Sequence, residues 1–258
     1  MPRFAANLSM MFTEVPFLDR FAAAASAGFK AVEYAFPYDF VPQQIREQLD
    51  AHCLAQALFN LPPGDWAVGE RGLASLPGRQ GDFAASVDLA LAYAEVIGSP
   101  LLHVMAGIAP ADDPKCRRTY VANIRLAAEA AQARGRKVLI EPINRHDMPG
   151  YFLSSVAQAM TILDEVDHPN AWLLLDLYHA QMSDGDITHL IERVAPRIGH
   201  VQLASVPDRH EPDRGELYYP YVLARLDRHY RGWIGCEYRP AAGTTAGLGW
   251  LEQYRRDR

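Results

Sequence analysis

Eight short apolar runs of strand composition alternate with helical stretches along 258 residues, and run after run ends in a polar side chain. The alternation predicts an α/β fold with a parallel sheet. Two further observations close that sheet into a single (β/α)8 TIM barrel over 1–258. The first run is not followed by the Gly-x-Gly-x-x-Gly turn of an open, doubly wound sheet. The polar run ends are also spread over the whole chain, as the mouth of a barrel requires. The length fits the roughly 250 residues of such a barrel. No linker, internal repeat or low-complexity tract divides it.

The elements follow in order. Residues 4–7 form a first strand, and 16–27 an Ala-rich helix with Phe17, Phe21 and Ala24 on one face and Gly28 at its end. A second strand, 30–34, carries Glu33. A helix over 42–52 has Pro42 in its first turn, and 55–60 is the third strand. The stretch 61–79 then breaks the rhythm with three prolines and four glycines. A loop this long inside a compact domain is usually functional, and Asp65, Trp66, Glu70 and Arg71 give it the content of a lid. Helix 83–97, strand 101–105 with His103, helix 119–134 and strand 138–141 come next. They are followed by helix 155–166 with Ser154 or Ser155 as N-cap, strand 172–176, helix 187–194 and strand 198–203. After the polar loop 207–215 come helix 219–229, strand 232–237 and a closing helix over 244–256.

Composition narrows the partners. The formal net charge of −6 argues against nucleic acid, which needs a basic footprint. Cys53, Cys116 and Cys236 are too few and scattered for a disulfide framework or a Cys-rich zinc site, and they are expected to be buried and inert. No signal-peptide core opens the chain, and no run approaches the ~20 apolar residues of a membrane helix. The expectation is a cytoplasmic protein with a small-molecule partner and no membrane or nucleic-acid partner; a homo-oligomer is left open.

Four run ends carry the chemistry. Val138-Leu-Ile-Glu141, Leu173-Leu-Leu-Asp176 and Trp233-Ile-Gly-Cys-Glu237 end in carboxylates, and His200-Val-Gln202-Leu203 carries an amide at the equivalent point. Three carboxylates meeting at one mouth repel unless a cation lies between them. An all-oxygen set suits Mg²⁺ or Mn²⁺; Zn²⁺ would more often take a histidine, and His179 and His200 are close enough in sequence to keep a mixed site open. A cation holding a carbonyl and the neighbouring hydroxyl stabilises an enediolate, and two carboxylates on opposite sides move protons between the carbons. That is aldose–ketose isomerisation, or epimerisation if the proton returns to the same carbon.

The chain resembles the hydroxypyruvate isomerase family, within the xylose-isomerase-like TIM barrels that also include ketose 3-epimerases and endonuclease IV. The resemblance runs along the whole chain. It is carried by Asn60-Leu-Pro-Pro-Gly-Asp-Trp66, Ile140-Glu-Pro-Ile-Asn144, Asp176-Leu-Tyr-His-Ala-Gln181, Gly199-His-Val-Gln202, Arg209-His-Glu-Pro212 and Gly235-Cys-Glu-Tyr238. The opening 1–17 also looks like the related 2-oxo-tetronate isomerases. The resemblance implies Glu141 and Glu237 as the acid/base pair, and Glu141, Asp176, Gln202 and Glu237 as the lining of a metal site. It implies conversion of hydroxypyruvate to tartronate semialdehyde, with a four-carbon 2-oxo acid or a ketose as alternatives. In the related sugar epimerases a histidine stands at Gln202. One departure is Ala204-Ser205 after the seventh strand, where Ala-Asp or Ala-Gly is expected.

Substrate contacts are expected from Arg209, His179, Glu70 and Trp66. Arg209 would pair with the carboxylate of an α-keto acid, or else with Asp208 or Glu211 at the surface. His179 would touch a substrate oxygen or orient a ligand. Glu70 and Arg71 would reach the substrate or lock the lid by a salt bridge. Trp66 would cover the site and exclude water. Asn144 would orient Glu141, and His103 faces either the mouth or the barrel interior.

Overall fold

The computed structural model describes residues 1–254. The sheet is a closed parallel barrel in which each strand pairs with its sequence neighbours and the last pairs with the first. The strands are β1 Arg3–Asn7, β2 Ala31–Tyr34, β3 Ala55–Asn60, β4 Leu101–His103, β5 Lys137–Ile140, β6 Ala171–Asp176, β7 Ile198–Leu203 and β8 Trp233–Cys236. The helices are α1 Arg20–Ser26, α2 Pro42–Ala51, α3 Gln80–Ile97, α4 Pro114–Gln132, α5 Val156–Val166, α6 Leu177–Ser183, α7 Ile187–Val194 and α8 Tyr219–Leu226.

Side chains alternate across each strand, and this sorts the barrel into an outer and an inner layer. Val32, Val138, Ile140, Leu173, Leu175, Val201 and Leu203 belong to the large core between sheet and helices. The intervening residues form separate small clusters: Ala5, Ala31 and Ala57 with Trp233, and Leu58, Leu139 and Leu174 with Leu101 and Trp172. The floor is closed by two cation–π pairs, with Arg3 3.8 Å from the Trp233 ring centroid and Lys137 4.0 Å from that of Trp172. Two residues further up the same strands the inner layer turns polar: Ala5 leads to Asn7, Ala31 to Glu33, Leu101 to His103, Leu139 to Glu141 and Leu174 to Asp176. Period-two alternation therefore carries every polar run end to one face.

Several boundaries differ from the expectation. The first helix begins as a 3-10 turn, Phe17–Asp19, before α1. The closing segment is also 3-10, Thr245–Tyr254, and sets Trp250 edge-on to Phe4 beneath the barrel; residues 255–256 of that expected helix lie outside the described residues. Helix α6 went unrecognised because Leu-Tyr-His-Ala-Gln-Met-Ser is one short segment with no clear apolar face. It forms because the Asp176 side chain caps it, accepting from Tyr178 N at 2.8 Å. The cysteine expectation is corrected at one position: Cys116 and Cys236 are buried, but Cys53 is exposed where the chain turns into β3. No helix among the described residues is long and apolar enough to cross a membrane.

The lid 61–79 has an anchored base. Leu73, Ala74 and Ser75 are buried, Ser75 N donates to Ala106 O and Asn123 Nδ2 to Ala74 O. Gly72, at φ +117°, passes so close to β4's exit that a Cβ would lie 2.3 Å from Met105 O. Only glycine fits both the angle and the gap. Gly72→Ala is expected to cost about 1–3 kcal/mol through strain, lowering the thermal midpoint by roughly 2–12 °C; an unchanged melting curve would contradict this packing.

Candidate active site

Glu141 directly follows β5 and Glu237 directly follows β8; Asp176 is the last residue of β6. Gln202 lies beside Asp176 in the β6–β7 register and beside Gly235 in the β7–β8 register. One ligand atom each from Glu141, Asp176 and His179, all buried, lie within 4.8 Å of one another. Arg209 ties Glu237 to this group: its Nη2 donates to Glu237 Oε1 at 3.1 Å and Asp176 Oδ2 at 3.5 Å, while Nη1 reaches Asp147 Oδ2 at 3.5 Å. The mouth thus brings Glu141 and Asp176 together with His179, sets Gln202 beside Asp176, and joins Glu237 to Asp176 through Arg209.

Two hydrogen-bond patterns say which atoms are free to bind a cation. Gln202 donates its Nε2 to Glu33 Oε1 at 2.7 Å, and its Oε1 is buried without a partner. An orphaned buried carbonyl costs free energy unless something electropositive meets it, so the amide oxygen fits the fourth position of an oxygen site. Asn144 Oδ1 accepts from the backbone N–H groups of His146 and Asp147, both at 2.9 Å, which turns its Nδ2 onto His179 Nδ1 at 2.7 Å. His179 Nδ1 is therefore an acceptor, and the neutral ring carries its proton on Nε2. That Nε2 lies 3.6 Å from Asp176 Oδ2 and 3.8 Å from Glu141 Oε1. It offers an N–H to an oxygen, not a lone pair to a metal. Asn144 serves His179 rather than Glu141.

The electrostatics follow from burial and crowding. Desolvation pushes the Glu141 carboxyl well above its ordinary range, reinforced by the charges of Glu237 and Asp176. Burial lifts Glu237 to about 8 against the pull of Arg209, and Asp176 to about 6. Burial holds His103 neutral, down to about 3, and lowers His179 well below its ordinary value. For Arg209 burial opposes the charge, but Glu237, Asp176, Glu141 and Asp147 outweigh it and the guanidinium stays charged.

The other expected residues are placed as follows. A cavity of about 650 Å³ opens above the carboxylates, walled by His103, Glu141, His179, Arg209, Glu237 and the lid residues Trp66 and Arg71, among others. His103 faces this mouth, with Nε2 3.4 Å from Glu141 Oε2. Trp66 sits over the opening, 45% exposed, against Phe36 and with Arg71 stacked 3.8 Å from its ring centroid. Glu70 is corrected: it is absent from the cavity wall, because its carboxylate pairs with Arg79 and accepts from Asp65 N at 2.6 Å. It clasps the lid, and its neighbour Arg71 faces the cavity instead. Arg209 is not paired with Asp208 or Glu211. Ser205 shapes its loop, since Ser205 Oγ accepts from His210 N at 2.8 Å and Ser205 O from Arg209 N at 2.9 Å. Glu33 is the residue that the strand-end reasoning missed, although Ala31-Val32-Glu33 shows the same run-then-carboxylate pattern.

A closed parallel barrel with carboxyls gathered at its carboxyl-end mouth defines the class of TIM barrels with a polar site on that face. The chain belongs to the xylose isomerase-like TIM barrel family, which it matches over residues 21–254. It is 57% identical over 257 residues to the 2-oxo-tetronate isomerase of Cupriavidus necator, covering 98% of this chain and 99% of that one. It is 42% identical over 258 residues to the hydroxypyruvate isomerase of Escherichia coli, covering 99% and 100%. A solved structure described as an AP endonuclease, family 2, from Brucella melitensis shares 52% identity at a TM-score of 0.97, covering 99% of this chain and 100% of that one. The expected enzyme class, an isomerase of this family, stands.

The raised carboxyls carry a sign. In the cation-free protein Glu237 keeps its proton up to about pH 8, whereas an unfolded glutamate releases it near about 4.3. Between those values the folded state binds more protons, so stability falls as pH rises. In chelator, the thermal midpoint is expected to drop from pH 5 to pH 8, and Glu237→Gln to flatten that drop. A parent midpoint that rises over this range relative to Glu237→Gln would contradict the burial of this carboxyl.

Proposed function

We propose that the protein is a cation-dependent aldose–ketose isomerase of small hydroxy-keto acids. The observation that carries this reading is the pair Glu141, buried, and Glu237, half-buried, two carboxyls with raised proton affinity at the same mouth as Asp176 and Gln202. The four-carbon 2-oxo-tetronate is placed first, because the relative at 57% identity bears that name and the one named for hydroxypyruvate stands at 42%. This reverses the order expected from the sequence. Hydroxypyruvate, which shares the α-keto acid end, is the second reading.

Glu141, Asp176, Gln202 and Glu237 would hold the cation, and their all-oxygen chemistry favours Mg²⁺ or Mn²⁺ over Zn²⁺. When bound, the cation supplies electrophilic stabilisation of negative charge on adjacent substrate oxygens. One of Glu141 and Glu237 takes the proton from the hydroxyl-bearing carbon, and the other delivers a proton to the carbonyl carbon. His179 donates its Nε2–H to a substrate oxygen. Arg209 stands beside Glu237 and offsets the charge that gathers there. Trp66 shields the intermediate from water.

Arg71 supports an acid over a neutral ketose. Its Nη1 donates to the carbonyls of Glu70 at 2.7 Å and Trp66 at 3.0 Å, and its Cζ lies over the indole, 3.8 Å from the ring centroid. No carboxylate pairs with it among the described residues. A fixed guanidinium on the cavity wall without an acidic partner suits the substrate's carboxylate. The net charge of −6 and a mouth with carboxylates at its centre support a small molecule over DNA. The cysteines, left free, fit a cytoplasmic location.

Enzyme loaded with Mn²⁺ is to be incubated with each acid in D₂O and followed by proton NMR. The expected outcome is isomer formation, fastest per unit kcat/KM with 2-oxo-tetronate; no product and no exchange at the reacting carbons would overturn the reading. Glu141→Gln and Glu237→Gln are each expected to lower kcat by about 10²-fold or more, with melting curves showing the variants folded. Arg71→Ala is expected to raise KM for the acid by roughly tenfold or more while kcat changes less; equal KM values would remove Arg71 from recognition.

A further inference from the structure

Beneath the proposed cation site lies a fully buried carboxylate with no role in proton transfer. Glu33, on β2, points into the barrel across from β7. Its Oε1 accepts from Asn7 Nδ2 at 3.0 Å and from Gln202 Nε2 at 2.7 Å, and its Oε2 lies 2.6 Å from His200 Nε2. The space is built for it. At Gly235 a Cβ would come within 2.3 Å of both carboxylate oxygens, so the β8 glycine leaves the room that Glu33 occupies. These contacts come from β1, β7 and β8, three strands that share no local sequence.

The consequence falls on Gln202. A carboxamide is nearly symmetric in shape, and its two ends are distinguished only by what they meet. With Glu33 in place the –NH₂ end has an acceptor, and the carbonyl end is left buried without a partner. Turned over, the amide would set its oxygen 2.7 Å from Glu33 Oε1, an oxygen that already accepts from Asn7 Nδ2, so that two acceptors face each other. Without Glu33 the –NH₂ would turn to the acceptor carboxylates at the mouth, Asp176 beside it among them, leaving the oxygen outward in only a minor fraction of molecules, and apparent cation affinity falls by that fraction.

We propose that Glu33 is a positioning residue for the cation site: it fixes the Gln202 amide so that its oxygen, not its nitrogen, is presented at the mouth beside Asp176 and Glu237. This rests on the cation-dependent reading given above. Glu33 touches neither substrate nor cation; it acts through Gln202. A neutral ligand at this position needs such a partner, whereas a carboxylate, with two equivalent oxygens, would not.

The test is Mn²⁺ binding to the chelator-treated full-length protein, by calorimetry and by loss of the free-ion EPR signal. Glu33→Leu, which removes the acceptor, is expected to raise Kd by about 10–100-fold. Glu33→Gln separates orientation from charge. It removes the negative charge but keeps an oxygen for Gln202 Nε2, so it is expected to stay within about threefold of the parent on this argument. Gln202→Ala is expected to weaken binding as Glu33→Leu does, and the double variant to be no weaker than Gln202→Ala alone. Melting curves report folding; if Glu33→Leu does not fold, Glu33→Asp, whose carboxylate falls short of Gln202, carries the same expected loss. A Kd for Glu33→Leu within twofold of the parent overturns the proposal, as does Glu33→Gln weakened as much as Glu33→Leu, or additive losses in the double variant. A parent that binds neither Mn²⁺ nor Mg²⁺ overturns the cation reading itself, an outcome distinct from these.

Discussion

Four carboxyl groups, Glu33, Glu141, Asp176 and Glu237, are gathered in the upper part of one barrel. In a low-dielectric interior like charges repel strongly and each pays a desolvation cost. Much of the local structure answers that one constraint. Arg209 lies between Asp176 and Glu237. Glu33 is saturated by Asn7, His200 and Gln202. Asp176 accepts the Tyr178 N–H at the start of α6. The charge that remains is carried as raised proton affinity on Glu141 and Glu237, and groups in that state are suited to exchanging protons with a substrate.

Positioning runs through chains of contacts that each begin on rigid backbone. The two backbone N–H groups after Asn144 orient its amide, the amide fixes the tautomer of His179, and the ring then offers its N–H to the mouth. Ser205 organises the turn that raises Arg209, which itself adopts φ 56°. The lid is tied by Glu70 and Arg79 on one side and by the close passage of Gly72 over Met105 on the other. Trp66 and Arg71 are thereby held against each other at the opening as one unit.

Glu70 and Glu33 mark where reasoning from the sequence met its limit. Both are carboxylates in suggestive stretches; the sequence left the first between the substrate and a lid salt bridge, and assigned no role to the second. The reason is physical. Whether a lid glutamate faces the cavity depends on whether an arginine nine residues further on folds back to meet it, as Arg79 does. Whether a strand-end glutamate binds a ligand or supports one depends on what stands opposite it across the barrel. His103 was undecidable for the same reason: one residue of register exchanges inside for outside.

The sequence by itself determined the barrel, the order of its strands and the convergence of Glu141, Asp176, Gln202 and Glu237. Apolar period, helix-ending glycines and run-terminal polar residues are local properties, and a closed parallel sheet admits only one face for its strand ends. The tertiary structure decided the rest: which end of the Gln202 amide is free, which nitrogen of His179 carries the proton, which of Glu70 and Arg71 meets the cavity, and which carboxyls keep their protons. Each of these depends on partners brought together from distant strands and on the dielectric of the space they enclose, and neither is a property of any one segment of chain.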